Sequence, residues 1–333
     1  MLIYMKDRDE LLAIDYRSQS PEGLTTDQIF GVNLPDEYKK ANRDIVRYGY
    51  KASTVPGTVS GLILAHSQFG KLPLEVVMRP AIEQAREGVN VSYDLEQAIA
   101  SAPQLSLDAE SKRIYFHEGK PLKRGEVMKR PDLANTMNQI SMNGFNGFYD
   151  GEVAEKIASS MAINDGEITT DDLKKYRARF TQPIGVNYRG NKVYTHGPPS
   201  GGGIVLLTAL KVLEYFDLGK IGSNSATSYH LLAEALRRGH NNRSHHVGDP
   251  SFYSVPYDQL MSNKRIKSFA KSISLKEASL AKEVMPLSVL QESKNTTHYS
   301  IIDSEGNAVS NTYTLGYSFG SVSYTHLRAH ETS

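Results

Sequence analysis

A chain of 333 residues is long enough for one large domain or two ordinary ones, with a sizeable buried core. Its 38 basic residues nearly balance 37 acidic ones, which argues against a nucleic-acid binder whose affinity depends on neutralising phosphates. The absence of cysteine excludes disulfides, thiolate metal sites and cysteine nucleophiles, and no apolar run approaches the roughly 20 residues of a membrane-spanning helix.

The chain opens with the pattern of two strands joined by a polar turn. The strands are predicted over residues 1–5 and 11–17, so the chain begins inside a sheet and Arg17 closes the second strand. We therefore expect no secretory signal within this chain. From the residues alone, Arg17 is either a binding residue or a solvated arginine at a strand end.

The middle of the chain has mainly helical patterns. Glycine and proline punctuate these helices, and we assign them no chemistry. The predicted helices cover residues 57–69, 74–86 and 152–161, with another that is capped by Thr169 or Thr170 and ends near Tyr176.

A glycine-rich segment over 198–204 lies between two short strands within 186–195 and a helix predicted over 205–216. Such a segment can cradle a phosphate. This one lacks the Lys-Ser/Thr pair of a P-loop and the spacing of a dinucleotide fingerprint. We therefore expect the glycines to let the start of the helix lie close to the sheet.

Four histidines, His230, His240, His245 and His246, raise the question of a metal site. His230 and His240 are separated by about 1000° of helical rotation and do not share a face. His245 and His246 lack neighbouring carboxylates that would complete a ligand set. We predict hydrogen-bonded or solvated histidines and no metal site.

Near the end of the chain, residues 298–302 and 308–315 have the alternating pattern of a β-hairpin. The turn between them places Gly306 at a position that requires a positive φ. If Asp303 pairs with Asn307, Thr296 faces Thr314 across the two strands.

Two facing threonines suggest covalent catalysis. A threonine hydroxyl becomes a useful nucleophile when a base takes its proton. Cleavage between Asn295 and Thr296 would create such a base, an α-amine with a pKa of about 7.7–8. Thr314 would then hold the nucleophile, and the polar linker 291–294 would let the cut ends separate. The alternative is an ordinary surface hairpin, because threonine pairs also stabilise sheets.

The hairpin sequence resembles the processing site of the γ-glutamyltransferase (γ-glutamyltranspeptidase) family. The resemblance rests on Thr296-Thr297-His298-Tyr299-Ser300 and on the segment 306–315. Five further blocks agree in order, so the similarity covers residues 1 to about 321. They lie at residues 55–61, 70–73, 80–88, 198–203 and 248–250.

This resemblance implies an α/β (α+β) fold, the four-layer αββα sandwich of the N-terminal-nucleophile hydrolases, incomplete at both ends. It also implies a γ-glutamyl transferase/hydrolase that cuts itself at Asn295-Thr296 and forms a γ-glutamyl-Thr296 acyl-enzyme from glutathione or another γ-glutamyl amide. The acceptor would be water or an amino acid or peptide. The family resemblance implies a periplasmic or secreted enzyme without a cofactor and with two subunits cut from one precursor. The balanced charge of the chain predicts no nucleic-acid partner.

The resemblance assigns roles to individual residues. Thr296 is the nucleophile, Thr314 its partner, and Arg17 binds the substrate α-carboxylate, for which a guanidinium fork is suited. Two positions depart from the family pattern: Ser18 stands where an acidic residue is usual, and Gly316 where much of the family has an asparagine.

The same resemblance predicts how the chain is divided. Residues 1–295 are expected to belong to a large subunit truncated at its N-terminus, 296–321 to the start of the small subunit, and 322–333 to a non-native tail. Two alternatives stay open. One is an inactive fragment that expresses poorly, and the other is a related amide acylase of the same fold.

Overall fold

The computed structural model of the protein describes residues 1–25, 49–280, 296–316 and 318–320. The predicted linker, Asn295 and the predicted tail 322–333 lie outside the described residues. The described part contains helices α1 (Thr58–Phe69), α2 (Leu74–Glu87), α3 (Tyr93–Ala100), α4 (Ala109–Tyr115), α5 (Pro131–Asn143), α6 (Asn146–Tyr149), α7 (Glu152–Ile163), α8 (Thr170–Lys175), α9 (Gly201–Leu213), α10 (Leu218–Ile221), α11 (Ala226–His246), α12 (Tyr257–Leu260) and α13 (Asn263–Lys271).

The strands are shorter than most of the helices. Five of them form one sheet in the order β10, β11, β1, β2, β7, and the others form two-stranded ribbons. The strands are β1 (Leu2–Met5), β2 (Glu10–Asp15), β3 (Val89–Asn90), β4 (Phe116–His117), β5 (Lys120–Pro121), β6 (Val127–Met128), β7 (Arg179–Thr181), β8 (Ile184–Tyr188), β9 (Asn191–Thr195), β10 (Thr297–Ile302) and β11 (Ala308–Tyr313).

The first strand lies in the interior of the five-stranded sheet. Strand β1 pairs antiparallel with β2, where Leu2 opposes Ala13, and antiparallel with β11, where Leu2 opposes Ser310. The two predicted N-terminal strands are thus confirmed. Arg17, however, does not close the second strand, which ends at Asp15.

Helix α8 begins where a predicted cap places it. The Thr169 hydroxyl accepts the Asp172 amide proton at 3.1 Å, and the Asp172 carboxylate accepts the Thr169 amide proton at 2.8 Å. Burial raises the pKa of Asp172, but hydrogen bonds from the Glu22 amide and from Thr169 outweigh burial. The pKa therefore lies below its ordinary value, and the charged carboxylate stabilises the start of the helix.

The glycine-rich segment begins helix α9 instead of preceding it. The predicted start at 205 is wrong, because the helix already begins at Gly201. The expected close approach is confirmed for Gly203, where a Cβ would lie 2.4 Å from the carbonyl oxygen of His196, just beyond β9. A residue without a side chain lets the helix approach this closely. This reason does not apply to Gly202, where a Cβ would meet no atom within 4 Å.

The chain forms two compact units. Among the described residues, the first unit comprises 1–13, 180–280 and 300–311. Its core is a cluster from α9, α11 and α13 that includes Val212, Leu231 and Ile266.

The second unit comprises 14–25, 49–179, 296–299, 312–316 and 318–320 among the described residues. It has two main clusters, one around Tyr149 and Met161 and another in which Phe319 packs edge-on against Tyr115 at 5.1 Å. No helix in the described ranges is long and apolar enough to cross a membrane.

Candidate active site

The predicted hairpin is confirmed in strands β10 and β11. At its turn, the Asp303 amide donates to the Asn307 carbonyl at 3.0 Å, and the Gly306 amide donates to the Asp303 carbonyl at 3.1 Å. Gly306 has a φ of 85°, as the turn requires. Hydrogen bonds, first of all from the Asn307 side chain, hold the pKa of Asp303 below its ordinary value.

The same register is present toward the open end of the hairpin. His298 Nδ1 and Thr312 Oγ1, on facing strands, are 2.6 Å apart. Thr296 lies one residue before β10, and Thr314 lies one residue after β11. Both threonines are exposed. If this register continues for two more residues in each segment, Thr296 lies opposite Thr314.

Thr314 is oriented by the chain that follows it. Its Oγ1 accepts the amide proton of Gly316 at 3.0 Å, and Gly316 has a φ of 86°. A hydroxyl can accept one hydrogen bond and donate another, so this contact is compatible with donation to a neighbouring nucleophile. The backbone amide of Gly316 therefore orients the hydroxyl of Thr314.

Arg17 lies two residues beyond β2 with an exposed side chain. Its backbone does not continue the strand, and side chains bind its backbone polar groups instead of a neighbouring strand. The Asp15 carboxylate accepts the Arg17 amide proton at 3.2 Å, and the Tyr176 hydroxyl donates to the Arg17 carbonyl at 2.7 Å. The sequence did not identify Asp15 or Tyr176. The one local signal was an acidic residue at the end of an apolar strand.

A hydrogen bond links the Arg17 segment to the hairpin. The hydroxyl of Tyr16, which precedes Arg17, donates to the carbonyl of Thr312 at 3.2 Å. Tyr16 is buried and Thr312 is exposed, so this contact is partly buried. The contact therefore joins the residue before Arg17 to strand β11, two residues before Thr314.

A cleft of about 810 Å³ lies elsewhere in the second unit. It is lined by α4, α5 and α7, and its charged groups include Arg113, Asp132 and Lys156. Arg113 already pairs with Asp132 at 2.5 Å, and Lys156 pairs with Glu152 at 2.6 Å. None of the sequence-predicted site residues lines this cleft.

The histidines make local hydrogen bonds. His230 Nε2 lies 2.7 Å from the Ser274 carbonyl oxygen, and His245 Nδ1 lies 2.9 Å from that of Asn241. Burial lowers the pKa of His240 and His246, and a neighbouring arginine lowers each further. Within the part of the chain that the structure describes, no three His, Cys, Asp or Glu residues form a group suited to a metal ion.

A mixed fold with a threonine-bearing hairpin of this kind is typical of hydrolases that use an N-terminal nucleophile. Comparison with known proteins makes the assignment specific. The chain belongs to the gamma-glutamyltranspeptidase family, whose sequence profile, described as Gamma-glutamyltranspeptidase, matches residues 1–326. The family predicted from the hairpin motif is therefore confirmed.

Individual relatives agree with this assignment. Over 324 residues the chain is 38% identical to an Escherichia coli protein named glutathione hydrolase proenzyme, covering 96% of this chain and 55% of the relative. It is 34% identical to an acylase ACY 1 proenzyme of a Pseudomonas species, covering 93% of this chain and 55% of that relative. The chain thus spans about half the length of these curated relatives.

The fold is shared with a solved structure of the same family. The crystal structure of Helicobacter pylori gamma-glutamyltranspeptidase superposes with a TM-score of 0.80 at 31% identity, covering 89% of this chain and 84% of that chain. The predicted fold class, an N-terminal-nucleophile hydrolase with mixed helices and strands, is confirmed.

Proposed function

We propose that the chain belongs to a γ-glutamyl transferase/hydrolase that acts on glutathione and other γ-glutamyl amides after cutting itself between Asn295 and Thr296. The observation that carries the proposal is the hairpin register, in which the His298–Thr312 contact continues toward Thr296 and Thr314. Relatives named glutathione hydrolase proenzymes support the substrate class and the precursor.

Maturation begins with an attack within the chain. The Thr296 hydroxyl oxygen attacks the carbonyl carbon of Asn295, and the peptide C–N bond breaks as a C–O ester bond forms. The proton lost by the hydroxyl goes to the departing nitrogen, which becomes the free α-amine. Water then hydrolyses the ester. The products are a carboxylate on Asn295 and a Thr296 with both an amine and a hydroxyl.

Catalysis reuses the same oxygen with the new amine as its base. The amine takes the Thr296 hydroxyl proton while the oxygen attacks the γ-amide carbonyl of the substrate. The amide C–N bond breaks, and the proton passes to the leaving amine. Water then releases glutamate from the γ-glutamyl ester, or an acceptor amine forms a new γ-glutamyl amide. These steps require no cofactor.

Two further residues orient the reactants in this scheme. Arg17 binds the α-carboxylate of the γ-glutamyl group in two parallel hydrogen bonds. Thr314 donates to Thr296 Oγ1 and holds its rotamer. Residues 1–295 then supply the large subunit and 296–321 the start of the small one, in an enzyme that is periplasmic or secreted.

The maturation step is tested in the gene product that carries this chain. Thr296→Ala is expected to leave one polypeptide on a denaturing gel and in intact mass, because no hydroxyl remains to attack Asn295. Thr296→Ser is expected to cut more slowly. Thr297→Ala is the matched control, since it removes the adjacent hydroxyl and should leave cleavage unchanged. Efficient cleavage of the Thr296→Ala variant would overturn the proposal.

A second candidate is an amide acylase with the same nucleophile. It is favoured by the 34% identity to an acylase and by Gly316, where much of the family has an asparagine. The two candidates differ in the acyl group that they accept. Faster turnover of an acyl amide without an α-carboxylate than of a γ-glutamyl anilide would favour the acylase.

A further inference from the structure

We propose that Tyr176 and Asp15 are positioning residues that fix the backbone of Arg17, so that its guanidinium meets a substrate α-carboxylate in the bidentate geometry. This inference rests on the proposed function, because it presumes that Arg17 binds that carboxylate. Neither residue is expected to touch the substrate.

Two buried side chains bind the two backbone polar groups of Arg17. The Tyr176 hydroxyl donates to the Arg17 carbonyl oxygen at 2.7 Å, and Tyr176 is only 2% exposed. An Asp15 oxygen accepts the Arg17 amide proton at 3.2 Å, and Asp15 is 8% exposed. A residue past the end of a strand has lost its ladder partners, so these contacts replace them.

The charge on Asp15 has its own partner. Its second carboxylate oxygen accepts a hydrogen bond from Arg179 Nη2 at 3.3 Å. Burying a carboxylate costs free energy unless a partner compensates for the lost hydration. The contact with Arg179 provides such a partner for Asp15. Asp15 thus holds Arg17 through the backbone amide.

The Tyr176 hydroxyl occupies a closely packed position. Its ring stacks on Tyr149 with centroids 5.8 Å apart and planes 11° apart. A Cβ on Gly57 would lie 2.2 Å from the Tyr176 hydroxyl oxygen and 2.0 Å from the Tyr16 carbonyl oxygen. Only glycine fits at this position, so the hydroxyl has little room to move.

The chain after Arg17 is fixed as well. Gln19 and Val55 exchange two backbone hydrogen bonds of 3.2 and 2.8 Å. Because the segment is held on both sides, the exposed side chain of Arg17 projects from a fixed base. A functional group held by such a surrounding shell binds its partner with less loss of freedom.

The experiment compares two donors in the gene product that carries this chain. One is γ-glutamyl p-nitroanilide, and the other is 4-aminobutyryl p-nitroanilide, which lacks only the α-carboxylate. Tyr176→Phe is expected to raise KM for the first donor roughly 3- to 10-fold, which corresponds to the net free energy of one hydrogen bond. We expect kcat for this donor to change less. The variant should leave kcat/KM for the second donor unchanged. Asp15→Asn should also raise KM for the first donor, because one amide oxygen cannot accept from both the Arg17 amide and Arg179 Nη2.

Tyr149→Phe is the matched control. Tyr149 is fully buried, and its hydroxyl also donates to a backbone carbonyl at 2.7 Å, that of Pro56. The variant deletes the same group from the neighbouring ring without touching Arg17. We expect it to leave the ratio of the two donors unchanged. In an Arg17→Ala background, Tyr176→Phe should raise KM no further, because the two residues act through one contact.

Three outcomes would overturn the inference. The first is an equal loss on both donors in Tyr176→Phe, which marks a general structural role. The second is the same donor-specific loss in Tyr149→Phe. The third is an undiminished effect of Tyr176→Phe in the Arg17→Ala background. If the unmodified enzyme does not distinguish the donors, the role of Arg17 fails and the inference falls with it, whereas cleavage at Thr296 is judged separately.

Discussion

The replacement Arg238→Met tests the buried ion pair in the first unit. Arg238 lies in α11 and is 2% exposed, one turn after Glu234, which is 1% exposed. Arg238 Nη1 donates to a Glu234 carboxylate oxygen at 2.6 Å. The rest of the guanidinium binds carbonyl groups at the C-terminal end of α13, with Nη2 at 3.0 Å from the Ser272 oxygen and Nε at 3.1 Å from that of Phe269.

The expected loss of stability depends on the hydrogen bonds that Glu234 keeps in the Arg238→Met variant. Methionine replaces much of the aliphatic stem, so the main change is a buried carboxylate without its buried cation. Breaking such a pair typically costs about 3–5 kcal/mol. Ser279 still donates to the carboxylate at 2.5 and 3.2 Å, and Arg237 at 3.0 Å. We therefore expect a free energy of local opening about 3 kcal/mol lower.

Hydrogen exchange in peptides from α11 measures this opening. A loss of about 3 kcal/mol corresponds to roughly a hundredfold loss of protection. Arg237→Met is the matched control: Arg237 is the adjacent, one-third-exposed partner of the same carboxylate, and its loss should cost at most about 1 kcal/mol. The reasoning is refuted if Arg238→Met opens α11 no more than Arg237→Met does. Glu234→Gln combined with Arg238→Met should recover part of the loss.

The loss of stability in Arg238→Met also depends on pH. Burial raises the pKa of Glu234, but hydrogen bonds from Ser279 and Arg238 outweigh it, so the pKa lies below its ordinary value of 4.5. A depressed pKa means that the carboxylate stabilises the fold above pH 4.5 and loses this contribution as the pH falls through its folded pKa. The difference between Arg238→Met and the unmodified chain should therefore narrow below pH 4.5.

Three further predictions concern the cap and the hairpin. Asp172→Ala should cost about 1–2 kcal/mol in urea unfolding, because it removes the carboxylate that accepts hydrogen bonds from Thr169 and from the Glu22 amide. The contribution of Asp172, whose pKa is depressed, should fade in the unmodified chain below its ordinary pKa of 3.8. Gly306→Ala should lower the melting temperature because φ is 85°, whereas Gly202→Ala, at an open helical position, should not. His298→Ala should slow self-cleavage roughly 3- to 10-fold, Thr312→Val equally, and the double variant no further, as gel time courses would show.

The hairpin was predictable from the sequence because its determinants are local. Alternating apolar residues, an Asp-to-Asn turn and one glycine fix the register over fewer than 20 residues. The contact between His298 and Thr312 follows from that register without any reference to the rest of the chain. The facing positions of Thr296 and Thr314 were predicted by the same reasoning.

The surroundings of Arg17 were not predictable in this way. Tyr176 and Arg17 are 159 residues apart, and the sequence marks Tyr176 only as the end of a helix. The same is true of the buried pair in α11. Glu234 and Arg238 have the spacing of an ordinary exposed helical ion pair, and only the packing of residues 269–279 against them places both in the interior.

Tyr16 connects the local hairpin with the long-range contacts around Arg17. Its backbone is joined to Arg17, and its hydroxyl binds the carbonyl of Thr312, two residues before Thr314. In the proposed mechanism, Arg17 binds one end of the γ-glutamyl group and the threonines act on the other. The distance between the Arg17 guanidinium and the Thr296 hydroxyl must match the length of the γ-glutamyl group. Its γ-carbonyl then reaches the nucleophile while its α-carboxylate is bound by Arg17. Under that proposal, the hydrogen bond from Tyr16 to Thr312 links the segment that would bind the substrate carboxylate to the hairpin that would carry the nucleophile.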